Sequence, residues 1–476
     1  MKMNRTKIVC TIGPRTANAI SLRQLVEAGM SVARLNGSHA DLDWHARTVR
    51  LLHEVAPGVP VLLDIPGRKI RTADLAHEPD FAAGAVVVLT TDPAHDGRDK
   101  VPVNSDTLHD DLRAGDTIFA DDGTLRFVVS RIDGRDIYCR AETAGRLRSR
   151  KGINVPHVKL QSQLVTARDR QMIEFARANG IDFVGISFVD SAAHIAAIHE
   201  LIGAGWPRIV AKIENQGGLD RVEEIVEATD AVMIDRGDLA VETNLESLSL
   251  FQKRIIVAAR EHGRPVIVAT EMLHTMITNP FPTKAEISDI TNAVLDGCAA
   301  IMLSGETAIG DHPVEAVSVM HRVATVTEDF VQSELDTIPE RVRGSVPQAV
   351  GDAIAMICRT LPVTRIVAIT KSGYAARMIA ARRPRQPILA VSNDEYAARS
   401  FNLYAGTEGI FVDVEFPQTS TDHIIKCLEK LWQRGKLTEE DLVLVTAVGY
   451  PRSGNRMNLL QTHHMCDLIT TLGWRR

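Results

Sequence analysis

The stretch Arg208–Leu239 reads RIVAKIENQGGLDRVEEIVEATDAVMIDRGDL. An apolar run of strand length, Arg208–Ile213, is followed by Leu219–Glu227, whose apolar residues recur at helical spacing, and then by a second apolar run, Ala231–Ile234. Strand, helix and strand with so short a return predict a βαβ unit and therefore a parallel sheet. Neither strand alternates cleanly between apolar and polar residues, as expected where both faces of a sheet are covered. Both strands run into charge: Lys212-Ile213-Glu214-Asn215 closes the first and Asp235-Arg236-Gly237-Asp238 the second.

The same grammar repeats outward in both directions. Further strands are expected at Lys7–Ile12, Ser31–Leu35, Val59–Ile65, Asp182–Phe188, Pro265–Ala269 and Ala299–Leu303. Helical periodicity marks Leu22–Ala28, Ala167–Asn179, Ser247–Glu261 and Lys284–Leu295, and Gly29, Gly180, Gly263 and Gly297 supply the stops. Eight strands, each but the third closely followed by a helix, predict an α/β fold of the TIM (β/α)8 type. After the third strand, about Thr72 to Pro156 shows β-like runs instead (Val86–Leu89, Thr117–Ala120, Leu125–Val129, Ile137–Arg140), separated by turn pairs such as Asp122-Gly123 and Asp133-Gly134. The expected organisation is a catalytic barrel from residues 1–71 and 157–340, an inserted small β-barrel lid at 72–156, and a C-terminal α/β regulatory domain at 345–476. A linker with Pro339, Gly344 and Pro347 precedes that last domain, whose strands are expected at Thr364–Ile369, Pro387–Val391, Gly409–Val414 and Leu442–Thr446.

Composition excludes several classes. Apolar residues make up 45% and charged residues 24% of 476 residues, an ordinary globular balance. A net charge of −6 argues against nucleic acid as a partner. No apolar run approaches the roughly 20 residues that span a bilayer, and Met1–Cys10 holds no signal-peptide core. Six scattered cysteines without a C-x-x-C pair predict a reduced, cytoplasmic protein with no zinc site.

In a TIM barrel the catalytic groups come from the C-terminal strand ends. Read in order, those ends carry Arg34, Asp64, Ser187, Lys212 with Glu214, Asp238 and Thr270. Lys212 and Glu214 stand two apart on a strand and so face the same side. Glu214 and Asp238, from adjacent strand ends, are placed to share one cation, and two carboxylates plus water suit Mg²⁺. Lys212 would then supply positive charge where an enolate or phosphoryl oxygen gains negative charge. Each feature alone has an ordinary explanation, such as a structural ion pair, a Gly-Asp turn or barrel filling; six adjacent strands ending in chemistry do not.

Quoted in order, Thr6–Pro14 (TKIVCTIGP), Ala33–His39 (ARLNGSH), Lys151–Asn154 (KGIN), Lys212–Asn215 (KIEN), Arg236–Leu239 (RGDL), Ala269–Leu273 (ATEML), Ala293–Gly297 (AVLDG) and Ile301–Ala308 (IMLSGETA) closely resemble the pyruvate kinases. The resemblance covers essentially the whole chain. It implies phosphoryl transfer from phosphoenolpyruvate to ADP with Mg²⁺ or Mn²⁺, in a homotetramer. Arg34, Lys212 and Thr270 would be catalytic, with Arg34 and Lys212 on the transferring phosphoryl group. Glu214 and Asp238 would bind the metal; the Gly237 and Asp238 amides with the Thr270 hydroxyl would hold the substrate carboxylate. Asn36, His39, Arg71 and Lys151 would contact the nucleotide, under the lid. Thr370-Lys371-Ser372-Gly373, a strand–turn–helix, would bind a phosphorylated effector.

Departures from the family pattern fall near the site. Relatives usually carry Phe and Gly at Gly37 and Ala40, Ala at Asp235, Gly at Ala240 and Gln at Glu271; Asp235 and Glu271 thus add two carboxylates. Relatives that require K⁺ surround it with groups matching Asn36, Ser38, Asp64 and the Ile65 carbonyl, and read Asp-Thr-Lys-Gly-Pro-Glu there. This chain reads Asp64-Ile65-Pro66-Gly67-Arg68-Lys69. Lys69 at the Glu position resembles the K⁺-independent subgroup, so K⁺ is expected not to be required. Two other classes share parts of the pattern: a barrel lyase or aldolase acting on an enolate, which needs neither Arg71, Lys151 nor a lid, and a silent sugar-phosphate sensor, which would have lost Lys212 or Glu214.

Overall fold

The computed structural model describes residues 5–121, 123–156, 158, 164–203, 205–334, 345–417, 420–448 and 457–475. Eight parallel strands close into a barrel: β1 (Lys7–Thr11), β2 (Val32–Asn36), β3 (Val61–Ile65), β4 (Phe183–Ile186), β5 (Arg208–Ile213), β6 (Ala231–Asp235), β7 (Val266–Ala269) and β8 (Ala300–Leu303). Neighbours pair in sequence order and β8 returns to β1, with Lys7 opposite Ala300. Side chains alternate between two layers. Ile8, Cys10, Ala33, Leu35, Leu63 and Ile213 face the surrounding helices, whereas Val9, Val32, Leu62, Phe183, Val210, Met233 and Ile267 fill the interior.

The helices begin where short polar side chains satisfy their first amides. Thr166 and Thr283 form reciprocal boxes with Asp169 and Glu286, and Asn18, Asp41 and Ser191 each accept from a first-turn amide. Leu42–Val55 and Ala192–Ile202 are further barrel helices beyond those anticipated. The helix expected at Leu219–Glu227 starts earlier and is broken in two, Gln216–Asp220 and Val222–Ala228. Asn215 caps the first piece through the Gly218 amide at 2.8 Å. At the break, Arg221 reaches back to the Asp190 carbonyl at 2.6 Å.

The insertion is a β domain. Its seven-stranded sheet runs Ile70–Arg71, Gly152–Asn154, Thr117–Ala120, Leu125–Asp133, Asp136–Ala141, Val86–Thr90 and Val101–Pro102. A bridge between Thr72 and Val103, with Asn104 N–H on the Arg71 carbonyl at 2.9 Å, joins the two ends of that sheet. Phe127, Leu89, Ile118 and Ile137 form its own core. Of the two turn pairs anticipated there, Gly134 adopts φ +58, and Asp122 lies outside the described residues.

The C-terminal part is a five-stranded sheet in the order β11 (Thr407–Phe411), β10 (Ile388–Ser392), β9 (Arg365–Ile369), β12 (Leu442–Ala447), β13 (Leu459–His464), of which β13 alone is antiparallel. The strand expected at Gly409–Val414 lies earlier because its pairing with β10 sets Ile388 opposite Thr407. Of the linker, Pro339 and Gly344 lie outside the described residues, and Pro347 sits in the first turn of the helix Val346–Thr360. The apolar cluster of the barrel interior also includes Phe401, Tyr404 and Ile366 of this domain. Among the described residues no helix is long and apolar enough to cross a membrane.

Candidate active site

Strand parity builds the site. Val32, Leu62, Val210 and Met233 face the barrel interior, so the residues two further on, Arg34, Asp64, Lys212 and Asp235, rise from the same interior row toward the C-terminal mouth. Arg34 donates to Asp64 Oδ2 from Nε (3.0 Å) and Nη2 (2.6 Å), and to Thr11 Oγ1 from Nη1 (3.1 Å). The Lys212 ammonium meets Glu214 Oε1 at 2.7 Å, Asp235 Oδ2 at 3.2 Å, Ser187 Oγ at 3.3 Å and Asp64 Oδ2 at 3.4 Å. Glu214 is wholly buried and its Oε2 accepts the Phe188 amide at 2.7 Å. Asp64 Oδ1 lies against Gly185, where an added Cβ would fall 2.1 Å from it, which explains that glycine.

The electrostatics follow from burial and crowding. Burial opposes the charge on Lys212, yet Asp64, Glu214 and Asp235 outweigh it and hold the ammonium well above its ordinary range. Burial raises Glu214, and Asp235 and Asp238 add to the rise. Asp235 goes the other way: burial would raise it, but Lys212, Lys69 and Arg34 together lower it.

The backbone past β6 forms a nook at the barrel mouth. The helix Arg236–Glu242 opens at Gly237, whose amide donates to Thr270 Oγ1 at 2.8 Å. Thr270 and Glu271 both hold positive φ (+71 and +55), strained for residues with side chains. Arg236 locks the turn by donating to the Thr270 carbonyl (2.8 Å) and to both oxygens of Asp289 (2.7 Å each). A Cβ on Gly237 would lie 3.7 Å from Thr270 Oγ1 and from Asp235 Oδ1, so the nook opens onto both. Asp235 therefore points into the site, whereas Glu271 is exposed and lines a wide space with Gly237, Phe119 and Pro156. Gly37 fits because a Cβ would meet the Asp64 carbonyl at 2.4 Å, and Ala40 adopts the φ of +60 at which relatives carry glycine.

The nucleotide candidates gather at the root of the inserted domain. Arg71 donates to Ser38 Oγ (3.4 Å) and to the Arg150 carbonyl (3.1 Å), and Lys151 pairs with Asp121 at 2.7 Å. Burial, then Arg71, Arg34, Arg150 and Lys151, lower His39, placing it among these cations. Asn36 Oδ1 accepts the Ser38 amide (3.1 Å), and the Ile65 carbonyl accepts from Ser187 (3.1 Å). Lys69 is half-buried, and its ammonium contacts Asp238 Oδ1 and Oδ2 at 2.5 and 2.7 Å. The ammonium thus bonds the oxygens of Asp238 and not Asn36, Ser38, Asp64 or the Ile65 carbonyl. Arg68 turns away to Asp190 at 2.7 Å.

The C-terminal loop is partly engaged already. Thr370 Oγ1 accepts the Gly373 amide (3.1 Å), and the Ser372 carbonyl accepts from Arg208 (2.8 Å); Lys371 and Ser372 remain exposed. Sequence reasoning did not assign Arg236, Ser187 or Phe188 a role. The arginine of RGDL was the visible signal for the first; nothing marked the Phe188 amide.

Glu214, Asp235 and Asp238 present ligand oxygens within 4.8 Å of one another. An all-oxygen carboxylate set fits a hard divalent cation. A TIM barrel whose mouth sets buried cationic side chains against such carboxylates has the architecture of an enzyme with its site at the C-terminal strand ends. The family model for "Pyruvate kinase, barrel domain" matches residues 3–317, and that for "Pyruvate kinase, alpha/beta domain" matches residues 348–463. Similar relatives include the pyruvate kinases of Bacillus licheniformis (38% identity; 98% of this chain, 81% of that one) and Mycobacterium tuberculosis (38%; 97% and 98%). That of Thermococcus litoralis is 34% identical over 96% of this chain and 98% of its own. The chain belongs to the pyruvate kinase family and is a phosphotransferase.

Proposed function

We infer that this chain carries out Mg²⁺- or Mn²⁺-dependent phosphoryl transfer from phosphoenolpyruvate to ADP, giving pyruvate and ATP as the last step of glycolysis in the cytoplasm. The observation that carries the reading is Lys212, buried at the barrel mouth between Glu214 and Asp235, beside the Gly237–Thr270 nook. Arg34 and Lys212 hold the phosphoryl group, and the Gly237 and Asp238 amides with Thr270 hold the substrate carboxylate. Glu214 and Asp238 would hold the divalent cation, which when bound neutralises charge on the phosphoryl oxygens. Asn36, His39, Arg71 and Lys151 orient the nucleotide, and the inserted domain excludes water over it. Such transfer is largely positioning plus charge stabilisation, which these groups supply. The test is ADP-dependent pyruvate formation from phosphoenolpyruvate, expected with Mg²⁺ and lost when the metal is chelated.

K⁺ is not required in this reading. Lys69 supplies a fixed positive charge to Asp238 beside the phosphoryl site, where a monovalent ion would otherwise add one. Full activity is expected in buffer free of sodium and potassium at constant ionic strength, with activation by KCl as the refuting result. A Lys69→Glu variant should need a monovalent cation.

The chain assembles as a homotetramer, and the Thr370–Gly373 loop binds a phosphorylated effector through the exposed Lys371 and Ser372. Sugar phosphates and nucleoside monophosphates titrated against activity should show a response that Lys371→Ala abolishes. An unchanged response would place the effector elsewhere.

A further inference from the structure

The Lys212 ammonium has three protons and four oxygens around it, so an incoming phosphoryl oxygen has to take the place of a contact already made. Three of those contacts are anchored from elsewhere. Asp64 is gripped by two Arg34 bonds, Glu214 by the Phe188 amide, and Ser187 by the Ile65 carbonyl. Asp235 is the exception: among the described residues Lys212 is its one ion-pair partner, and its other oxygen faces the Gly237–Thr270 nook. Asp235 is thus the contact that an incoming anion can displace without breaking a second anchor. Resting on the substrate-binding reading of Lys212 and the nook, we propose that Asp235 is a specificity-determining residue: a built-in anionic competitor that occupies Lys212 and faces the carboxylate seat until phosphoenolpyruvate displaces it.

Two physical consequences follow. A substrate carboxylate entering the Gly237–Thr270 nook meets a like charge that alanine would not present, which weakens binding. The anion must also break a charge-assisted contact on Lys212 before making its own. Asp235 therefore sets the affinity for doubly anionic substrates, and its removal tightens binding.

The experiment measures phosphoenolpyruvate binding to the full chain by calorimetry at saturating Mg²⁺ without ADP, for the parent, Asp235→Ala and Asp235→Asn. Asparagine keeps the shape and removes the charge, and thermal melting confirms that each variant is folded. The expected result is a dissociation constant lower by about tenfold or more in both variants, the size of a charged hydrogen bond. The gain should shrink in a Lys212→Met background, because the competition runs through that ammonium. Unchanged binding, or a gain of full size without Lys212, overturns the proposal. Weaker binding also overturns it and makes Asp235 a cation ligand. If the parent binds but Lys212→Met does not, and neither Asp235 variant differs from the parent, only this inference fails. A parent that binds no phosphoenolpyruvate removes the site reading itself.

Discussion

At the C-terminal mouth of the barrel, Lys212 is surrounded by Glu214, Asp235 and Asp64. At the opposite end the buried Lys7 and the half-buried Arg264 and Arg377 are met mainly by backbone: Lys7 donates to the Thr407 carbonyl (2.7 Å), Arg264 to Val226 and Glu227 carbonyls (3.1 and 2.8 Å), and Arg377 to the His262 carbonyl (2.6 Å). Burial brings Lys7 down to about 8 and, with Arg264 as a neighbour, Arg377 to about 10. The Lys7 and Arg377 contacts tie the barrel to the C-terminal domain, the Arg264 contacts hold the barrel itself, and all are complete as they stand. At the mouth, by contrast, Asp235 holds Lys212 without a second anchor, the arrangement that the proposed exchange for a substrate anion requires. The comparison sets cations held by backbone carbonyls, which serve the fold, against a cation held by carboxylates, which suits the proposed site.

The contrast can be broken by removing one cation at each end. Lys212→Met should lower kcat by about 100- to 1000-fold, the scale for losing one preorganised charge partner. Some stability should be lost as well, since Glu214 and Asp235 are left without that cation, and melting confirms that the variant is folded; a rate within about threefold of the parent would reverse the assignment. At the other end, Arg399 pairs with the wholly buried Asp182 at 2.8 Å, linking the C-terminal domain to β4. Arg399→Met should cost about 2–3 kcal/mol in a urea titration, somewhat less than a fully buried pair because Arg399 is partly exposed. Its kcat should stay near the parent's, and a tenfold loss of kcat (roughly, against the catalytic scale above) at an unchanged midpoint would contradict the division.

A smaller effect sharpens the comparison at the mouth. Glu242 lies beneath the inserted domain, where Asn154 donates to it at 2.8 Å, and burial raises its carboxyl to about 7. A raised folded-state value means that its proton supports the fold fully below the unfolded value of 4.5 and that this support is lost as pH rises through about 7. Glu242→Gln should therefore leave stability nearly unchanged near pH 4.5 and add on the order of 3 kcal/mol at pH 8. Equal melting shifts at the two pH values would show that the carboxyl is not held protonated.

Much of this was legible in the sequence, for physical reasons. Strand parity alone placed Lys212 beside Glu214, and the run of strand ends placed Arg34, Asp64 and Thr270 at the same mouth. The sequence marked Asp235 as an added carboxylate but left its direction open; the β5–β6 register and the interior Met233 two residues before it supply that direction. What parity could not supply was the rotamer that sets its oxygen on Lys212. The positive φ of Thr270 and Glu271 was hidden, because tertiary contacts such as Arg236 with the Thr270 carbonyl impose it. Strand β13, LLQTHH, was missed: it lies half-exposed at a sheet edge and lacks the branched apolar run that marked the parallel strands.

The joined sheet of the inserted domain has a consequence for how the chain folds. The excursion leaves through Ile70–Arg71 and returns through Gly152–Asn154, and these two segments pair antiparallel, Ile153 opposite Ile70. Once that stem forms, β3 and β4 are tethered by a short effective loop, although a whole domain separates them in sequence. The entropy of bringing them together grows with the length of free chain between them, so an insertion that closes on itself first relieves the barrel of that delay. Its core of Phe127, Leu89 and Ile137 is local to the excursion, which lets the order run that way. A kinetic signature follows: weakening the stem should slow the appearance of the barrel more than it shifts the equilibrium of the finished protein.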